Sequence, residues 1–196
     1  QKASILTYVI YLIARPVTQL YSTPEKSPIT SWAYSILGQI YVVLPLALLG
    51  VWGYKSDYQL FMNTEYLLMA LFVFVWTNDT GAYIVGCTLG KHRLFERISP
   101  KKSWEGFFGG LAFCIILASL ANYIIPGMLS TAQWIGMGIL TSIFSTWGDL
   151  CESLLKRTAG VKDSGKILPG HGGILDRFDS ELIASPVIFI YLTFVL

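Results

Sequence analysis

Long apolar stretches alternate with short polar segments along the chain. A run of about 20 apolar residues is long enough to cross the hydrocarbon core of a bilayer as an α-helix. Helix is the expected conformation, because an open strand in lipid leaves backbone groups without partners. The pattern predicts about six transmembrane helices, over about 3–20, 31–54, 66–88, 105–125, 131–150 and 181–196. The first is expected to be weakened at Arg15-Pro16, and the last is cut at Leu196.

Composition supports a membrane protein. The chain of 196 residues is 54% hydrophobic and 13% charged, with a mean hydropathy of +0.56. Soluble domains carry about 25% charged residues, so this chain has too few polar side chains to cover a soluble surface. With 14 basic and 12 acidic residues, no nucleic-acid partner is expected, and three cysteines do not make a disulfide scaffold. The expected fold class is all-α: a polytopic integral membrane protein in contact with the lipid bilayer.

The charges are concentrated in two segments. Of the 26 charged residues, 18 lie within 91–105 and 149–181, whereas 106–148 contains none. We therefore expect two charge-rich loops, 91–105 and 151–180, between membrane spans. Five basic residues against two acidic ones place 91–105 on the cytoplasmic side, and counting spans onward returns 151–180 to that side. This predicts a protein of the cell (inner) membrane whose site faces the cytoplasm.

The expected organisation has two parts, an N-terminal transmembrane region (1–65) and a catalytic transmembrane core (66–196) that contains both loops. The chain begins just before an apolar run and ends inside another, so we expect a part of a longer protein. Small residues let helices approach closely, and they make a homodimer plausible. Those within the predicted spans are Gly109, Gly110, Gly136 and Gly138.

Cations, carboxylates and glycines are mixed within 153–179. Gly170, Gly172 and Gly173 would let backbone amides approach an anion. Asp176 and Asp179 are three residues apart and would face one way on a helical turn, and Asp149 can add a third carboxylate. Cations neutralise phosphate oxygens, and carboxylates bind a hard divalent ion, so the mixture predicts a polyphosphate held with a metal. Its charged residues are Lys156, Arg157, Lys162, Lys166 and Arg177 with Asp163, Asp176 and Asp179.

The stretch from Ser153 to Asp179 resembles the signature of the phosphatidate cytidylyltransferases, also called CDP-diacylglycerol synthases. The matching positions are Ser153, Lys156-Arg157, Lys162-Asp163, Gly165, Leu168-Pro169, His171-Gly172-Gly173, Asp176-Arg177 and Asp179. Two further stretches are similar to the same family: Asn78–Tyr83 followed by Gly86, Gly90 and Lys91, and Ser99–Gly106, in which Ser103 replaces the usual threonine. The resemblance covers about residues 70–185.

The resemblance implies transfer of a cytidylyl group from CTP to phosphatidic acid, which gives CDP-diacylglycerol and pyrophosphate in phospholipid biosynthesis. It implies Mg²⁺ on Asp149, Asp176 and Asp179, with a second, monovalent cation such as K⁺, and a homodimer. The residues expected to act in catalysis are Asp149, Asp176, Asp179, Lys156, Arg157 and His171. Those expected to bind substrate are Asn78, Asp79, Lys91, Ser99, Lys101, Lys102, Ser103, Lys162, Asp163, Gly172, Gly173 and Arg177. The role of His171 is open between phosphate donor, general acid or base and loop packing.

Asp79 is the one charged residue within 66–90, and an ionisable residue inside a span is a functional hypothesis by default. The alternative is a structural aspartate between helices. Other functions stay open: a CTP-dependent polyprenol kinase, or a CDP-alcohol phosphatidyltransferase, whose Asp-Gly-x-x-Ala-Arg pattern is absent. An ion-coupled transporter would use Asp79, but no inverted repeat is visible. A purely structural membrane subunit would not need the dense motif.

Overall fold

Helices dominate the computed structural model, which describes residues 2–21, 27–53, 64–165, 167 and 172–196. The predicted all-α class is confirmed. The chain divides into two units, Gln1–Leu44 and Pro45–Leu196, and each is described by itself. The expected division into 1–65 and 66–196 rests on motifs rather than on packing, and it stays a prediction.

The first unit contains α1 (Lys2–Leu20), α2 (Pro28–Gly38) and a π-helical turn, Gln39–Val43. The start of α2 is specified locally. The Ser27 hydroxyl accepts a hydrogen bond from the backbone N–H of Thr30 at 3.4 Å, and a proline occupies the first helical position.

α1 runs through Pro16, so the weak point expected at Arg15-Pro16 does not end the helix. A proline inside a helix removes one backbone hydrogen bond, and α1 continues on both sides of it. The Arg15 side chain connects α1 to α2 at this point. Its guanidinium donates to Ser31 Oγ at 3.1 Å and to Ser35 Oγ at 3.3 Å, both on α2.

The remaining elements are five helices and one small hairpin, which lies between the second and third of these helices. They are α3 (Leu44–Gly53), α4 (Thr64–Leu89), β1 (Arg93–Phe95), β2 (Ser99–Ser103), α5 (Trp104–Ile124), α6 (Thr131–Thr158) and α7 (Leu175–Val195). α4 and α5 match the predicted spans 66–88 and 105–125 closely. The next two helices are longer than the predicted spans 131–150 and 181–196, because α6 continues beyond 150 and α7 begins before 181. The charge-rich segment 151–180 is therefore largely helical at both of its ends.

Side-chain caps explain where α5 and α6 begin. Ser103 Oγ accepts a hydrogen bond from Gly106 N at 3.1 Å at the start of α5. At the start of α6, Ser130 Oγ accepts from Gln133 N at 3.3 Å, and Gln133 Oε1 accepts from Ser130 N at 2.7 Å, which is a capping box. The turn before it contains Gly127 with a φ of +79°, a conformation that glycine adopts without strain.

Four helical stretches in the described ranges are long and apolar enough to cross a membrane: Pro28–Gly50, Glu65–Leu89, Trp104–Ile124 and Leu175–Val195. The prediction of about six spans is not confirmed. The stretches 3–20 and 131–150 form helices, and 131–150 is less apolar than the four stretches named above. In α6 the reason is its polar content, since it buries Thr141, Ser142, Ser145 and Thr146 among its neighbours.

The core of the second unit lies between α4, α5, α6 and α7. Trp134 and Met137 of α6 are fully buried, and the rings of Phe74 and Trp134 have centroids 6.3 Å apart. Ile188 and Leu192 of α7 are also fully buried. Large apolar side chains cover the outward faces as well, which suits surfaces in contact with lipid. They include Met69, Trp76, Tyr83, Phe108, Ile116, Tyr123 and Ile190.

The segment 91–105, expected as a charge-rich loop between two spans, does connect α4 to α5, and it contains a small hairpin that the sequence did not predict. β1 and β2 pair antiparallel, with Arg93 opposite Ser103 and Phe95 opposite Ser99. Glu105 fastens the base of this hairpin by accepting the backbone N–H groups of Lys91 at 3.1 Å and His92 at 3.2 Å. Backbone pairing outside the apolar spans thus gives the charged segment a defined shape.

Candidate active site

Asn78 joins α4 to α6 within the buried part of the bundle. Its side chain is 1% exposed. Nδ2 donates to Ser145 Oγ at 3.2 Å and to Thr146 Oγ1 at 3.3 Å, and Oδ1 accepts from Ser142 Oγ at 2.6 Å. Both amide hydrogens are therefore used inside the protein, and the network fixes α4, which carries Asp79, against α6, which carries Asp149.

α5 approaches α4 closely at the same level. A Cβ atom added to Gly110 would lie 2.5 Å from Asn78 Oδ1 and 2.7 Å from the Asn78 carbonyl oxygen, so only glycine fits there. Gly109 and Gly138 likewise face neighbouring helices of this chain, and Gly136 faces Tyr191. The predicted close helix approach is confirmed, but these glycines pack within one chain and lend no support to a homodimer.

A cavity of about 280 Å³ opens between α4, the hairpin, α5 and α6. We call it the hairpin cavity. Its wall combines positive charge from β2 with apolar and aromatic groups from α4 and α5. It is lined by Asn78, Asp79, Ala82, Tyr83, Gly86, Leu94, Lys101, Lys102, Ser103, Gly106, Phe107, Thr146 and Asp149. Five of the residues predicted to bind substrate from 78–103 therefore meet in one place.

A second cavity of about 310 Å³ lies between α4, α6 and the first turns of α7. We call it the acidic cavity, because five carboxylates line it. Its wall consists of Val75, Trp76, Asp79, Asp149, Asp176, Arg177, Asp179, Ser180 and Glu181. Asp79 and Asp149 line both cavities. The three aspartates predicted as metal ligands thus share one cavity, as the sequence led us to expect.

The two charge-rich segments lie on the same side of the bundle. The ammonium group of Lys102, on β2, is 2.5 Å from Asp149 Oδ2, on α6. Asp149 Oδ1 also accepts a hydrogen bond from Ser153 Oγ at 3.2 Å. This contact brings 91–105 and the segment starting at 149 together at one end of the helical bundle, and the membrane side that they face stays a prediction.

Lys156 lies between two carboxylates. It forms an ion pair with Glu152, one turn earlier on α6, and contacts Asp176 Oδ1 at 2.8 Å. Burial raises the pKa of the Glu152 carboxyl, although the Lys156 ammonium opposes this shift. Burial acts to lower the pKa of Lys156, but its hydrogen bonds to Asp176 and Glu152 outweigh this and raise it above the ordinary lysine value. The ammonium group is therefore charged at neutral pH.

Asp176 also binds residues on both sides of the glycine-rich segment, Ser164 before it and Gly173 at its end. Its Oδ2 accepts from Ser164 N and Ser164 Oγ, both at 2.9 Å, and from Gly173 N at 2.7 Å. Gly172 has a φ of +85°, and a Cβ atom there would lie 2.8 Å from Asp176 Oδ2. Glycine is needed at 172 because the chain passes this carboxylate closely in a left-handed conformation.

The remaining predicted residues stand apart from both cavities. Lys91, Arg157, Lys162 and Asp163 are exposed, and Ser99 is half-buried on β2. None of these five is among the lining residues, and Lys156 is not either. His171 lies outside the described residues, as do Lys166 and 168–170. The roles expected for all of these residues stay predictions.

The acidic cavity suits a hard cation, because its negatively charged groups are all carboxylates and hard cations prefer oxygen ligands. Within the described ranges, however, no group of three or more histidine, cysteine, aspartate or glutamate residues is arranged closely enough to hold a metal ion. The oxygens of Asp176 and Asp149 are engaged with Lys156 and Lys102. The metal site on Asp149, Asp176 and Asp179 therefore stays a prediction.

Sequence reasoning missed two acidic residues of this region. Glu181 is 3% exposed and lines the acidic cavity, and Glu152 is 1% exposed beside Lys156. Both positions flank the matched signature rather than falling within it. The available signal was their spacing, because Glu152 is four residues before Lys156 and Glu181 is two residues after Asp179.

Fold and site together define a class: polytopic all-α membrane proteins with a charged site at one end of the helical bundle. The sequence profile of the cytidylyltransferase family matches residues 1–195, and the chain belongs to that family. The resemblance found from its motifs is thereby confirmed.

Three curated relatives carry the name phosphatidate cytidylyltransferase. Those of Staphylococcus aureus and Staphylococcus haemolyticus are 41% identical over 160 and 159 residues, and that of Staphylococcus epidermidis is 40% identical over 159. Each alignment covers 81% of this chain and 61% of the relative. The chain thus matches less than two thirds of the length of these proteins.

Proposed function

We propose that the protein transfers a cytidylyl group from CTP to phosphatidic acid, giving CDP-diacylglycerol and pyrophosphate in phospholipid biosynthesis. Family membership and the names of the staphylococcal relatives support this activity. The structural observation that carries it is the wall shared by the two cavities, formed by Asp79 and Asp149. One side of this wall offers lysines to phosphate oxygens, and the other offers carboxylates to the cations that accompany a triphosphate.

In the proposed reaction, a phosphate oxygen of the lipid attacks the α-phosphorus of CTP. A new P–O bond forms while the bond from the α-phosphorus to the bridging oxygen of the β-phosphate breaks, and pyrophosphate leaves with that electron pair. Both reactants are polyanions, so the site must first neutralise charge. Lys101 and Lys102 supply positive charge in the hairpin cavity. Positioning and electrostatics then account for most of the rate, with no covalent enzyme intermediate required.

We propose Mg²⁺ as the cofactor, held by Asp149, Asp176 and Asp179. When bound, it would supply Lewis-acid stabilisation of phosphate oxygens. The all-oxygen donor set and the shared cavity support this choice. A monovalent cation such as K⁺ beside Mg²⁺ is part of the proposal, and it rests on the family resemblance.

We further propose that the site faces the cytoplasm at the cell (inner) membrane. The basic excess of 91–105 supports this orientation. The hairpin cavity lies between α4 and α5, both long enough to span the membrane, and Tyr83 and Phe107 contribute to its wall. A lipid could thus keep its acyl chains in the bilayer while its head group enters this cavity. A homodimer stays a prediction from the resemblance alone.

The decisive experiment incubates the purified full-length protein with labelled CTP and phosphatidic acid, with and without Mg²⁺. We expect CDP-diacylglycerol and pyrophosphate in equal amounts, and none after EDTA until Mg²⁺ is restored. The products separate this reaction from the alternatives, because a CDP-alcohol phosphatidyltransferase would release CMP and a CTP-dependent kinase would release CDP. Either of those products, or no CTP consumption by folded protein, would reject the proposed activity.

A further inference from the structure

Glu152 is a buried carboxylate that the proposed reaction does not use and that the matched signature does not include. Its side chain is 1% exposed, and its partner is the Lys156 ammonium. Apart from this ion pair, neither carboxylate oxygen receives a hydrogen bond from the part of the chain that the structure describes. A carboxylate buried this deeply is costly unless a cation compensates it, so its position calls for a physical reason.

Lys156 connects Glu152 to the acidic cavity without entering that cavity. Its ammonium group also contacts Asp176 Oδ1 at 2.8 Å, so one cation joins α6 to the first turn of α7 through two carboxylates. The Lys156 side chain is 16% exposed. Asp176 lines the acidic cavity, whereas neither Glu152 nor Lys156 is among its lining residues. A change at Glu152 would therefore act on the acidic cavity through its two neighbours, the Lys156 ammonium and the Asp176 carboxylate.

We propose that Glu152 is a positioning residue, which holds the Lys156 ammonium at Asp176 and thereby sets the place of the Asp176 carboxylate in the acidic cavity. A lysine side chain is flexible and can donate three hydrogen bonds in several directions. The Glu152 carboxylate on α6 and the Asp176 carboxylate on α7 both contact the Lys156 ammonium and thereby hold it in one place. Because Asp176 also accepts hydrogen bonds from Ser164 and Gly173, the same contact fastens the glycine-rich segment to α7. The catalytic consequence rests on the proposed function, but the contact itself does not.

Melting temperatures of the full-length protein in detergent, measured without substrate, test the contact. Lys156→Gln leaves Glu152 and Asp176 close together without their cation, so a clearly lower Tm is expected. Glu152→Gln added to Lys156→Gln removes one of these two charges, and the double variant should regain at least half of the lost Tm. Additive changes in the double variant would overturn the pairing, because independent residues contribute independently.

Kinetics of the Glu152→Gln variant test the positioning role. This substitution keeps the side-chain volume and removes a buried charge, so we expect a Tm within a few degrees of the wild type. We expect kcat to fall about tenfold or more, since displacement of a reacting group by about 1 Å can cost about 100-fold. The KM for CTP should change less than about threefold, because Glu152 lines neither cavity.

Glu96→Gln provides the matched control, since Glu96 is exposed in the hairpin turn and should give wild-type kinetics. An unchanged kcat in Glu152→Gln would overturn the positioning role. A wild-type protein that makes no CDP-lipid would instead reject the proposed function, and the comparison of melting temperatures would still report on the Glu152–Lys156 contact.

Discussion

The Lys102 ammonium of β2 lies 2.5 Å from the Asp149 carboxylate of α6. Both side chains are about one third exposed, at 27% and 33%, so the pair contributes at most about 1 kcal/mol to stability. Its importance is positional. It brings a cation suited to phosphate oxygens beside a carboxylate that lines both cavities, where the two substrates would have to meet.

Replacing Lys102 by alanine should lower kcat/KM for CTP-dependent product formation by about 10- to 100-fold, the value of a charge-assisted hydrogen bond to phosphate. Lys102→Arg should retain part of the activity because it keeps the charge. Steady-state kinetics of the purified protein measure both effects. Arg97→Ala removes an exposed cation from the hairpin turn and serves as the control. Equal activity in Lys102→Ala and Arg97→Ala would contradict a role in phosphate binding.

Asp179→Asn should reduce turnover by at least about 100-fold, because the amide keeps the size of the side chain but loses the charge facing the acidic cavity. The measurement is product formation over a range of Mg²⁺ concentrations, together with a melting curve that shows the variant is folded. Glu65→Gln is the control for the loss of a carboxylate, since Glu65 lies in the first turn of α4. Near-normal turnover in folded Asp179→Asn would remove this residue from the proposed metal site.

Asn78→Ala should destabilise the folded protein by about 1–3 kcal/mol, since Ser142, Ser145 and Thr146 would lose a buried partner. Unfolding in detergent, followed by circular dichroism, measures the change. Thr80→Ala is the comparison: its hydroxyl is exposed and bonds only the Trp76 carbonyl of its own helix, at 2.7 Å. If both variants unfold alike, the network does not hold α4 against α6.

Gly110→Ala should cost about 1–3 kcal/mol of stability, because the added methyl group would lie 2.5 Å from Asn78 Oδ1 in a closely packed interface. Gly50→Ala is expected to change the stability in the opposite direction. A Cβ atom at Gly50 meets no atom of the described residues within 4 Å, so alanine there should stabilise α3 by about 0.4–1 kcal/mol. Paired melting curves test both signs, and a tolerated Gly110→Ala would argue against close packing of α4 on α5.

Much of the site was predictable from residue types and spacing. Asp149, Asp176 and Asp179, which the sequence grouped together, line one cavity, and Lys101 and Lys102 line the adjoining one. Asp79, which the sequence singled out separately, lines both. Other expectations found no such support, since Arg157, Lys162 and Asp163 are exposed away from both cavities. A motif records which residues occur together, but it does not distinguish a side chain in the cavity wall from one that supports the wall.

The sequence by itself determined the membrane class, the approximate positions of α4 and α5 and the two segments in which the charges gather. These properties are local, because the length of an apolar run and the position of a charge can be read from neighbouring residues. Only the tertiary structure decided that 91–105 forms a hairpin, that Asn78 bonds α6 and that Lys156 joins Glu152 to Asp176. The Asn78–Ser145 and Lys156–Asp176 contacts join residues that are far apart in sequence, and they exist only once the helices have packed.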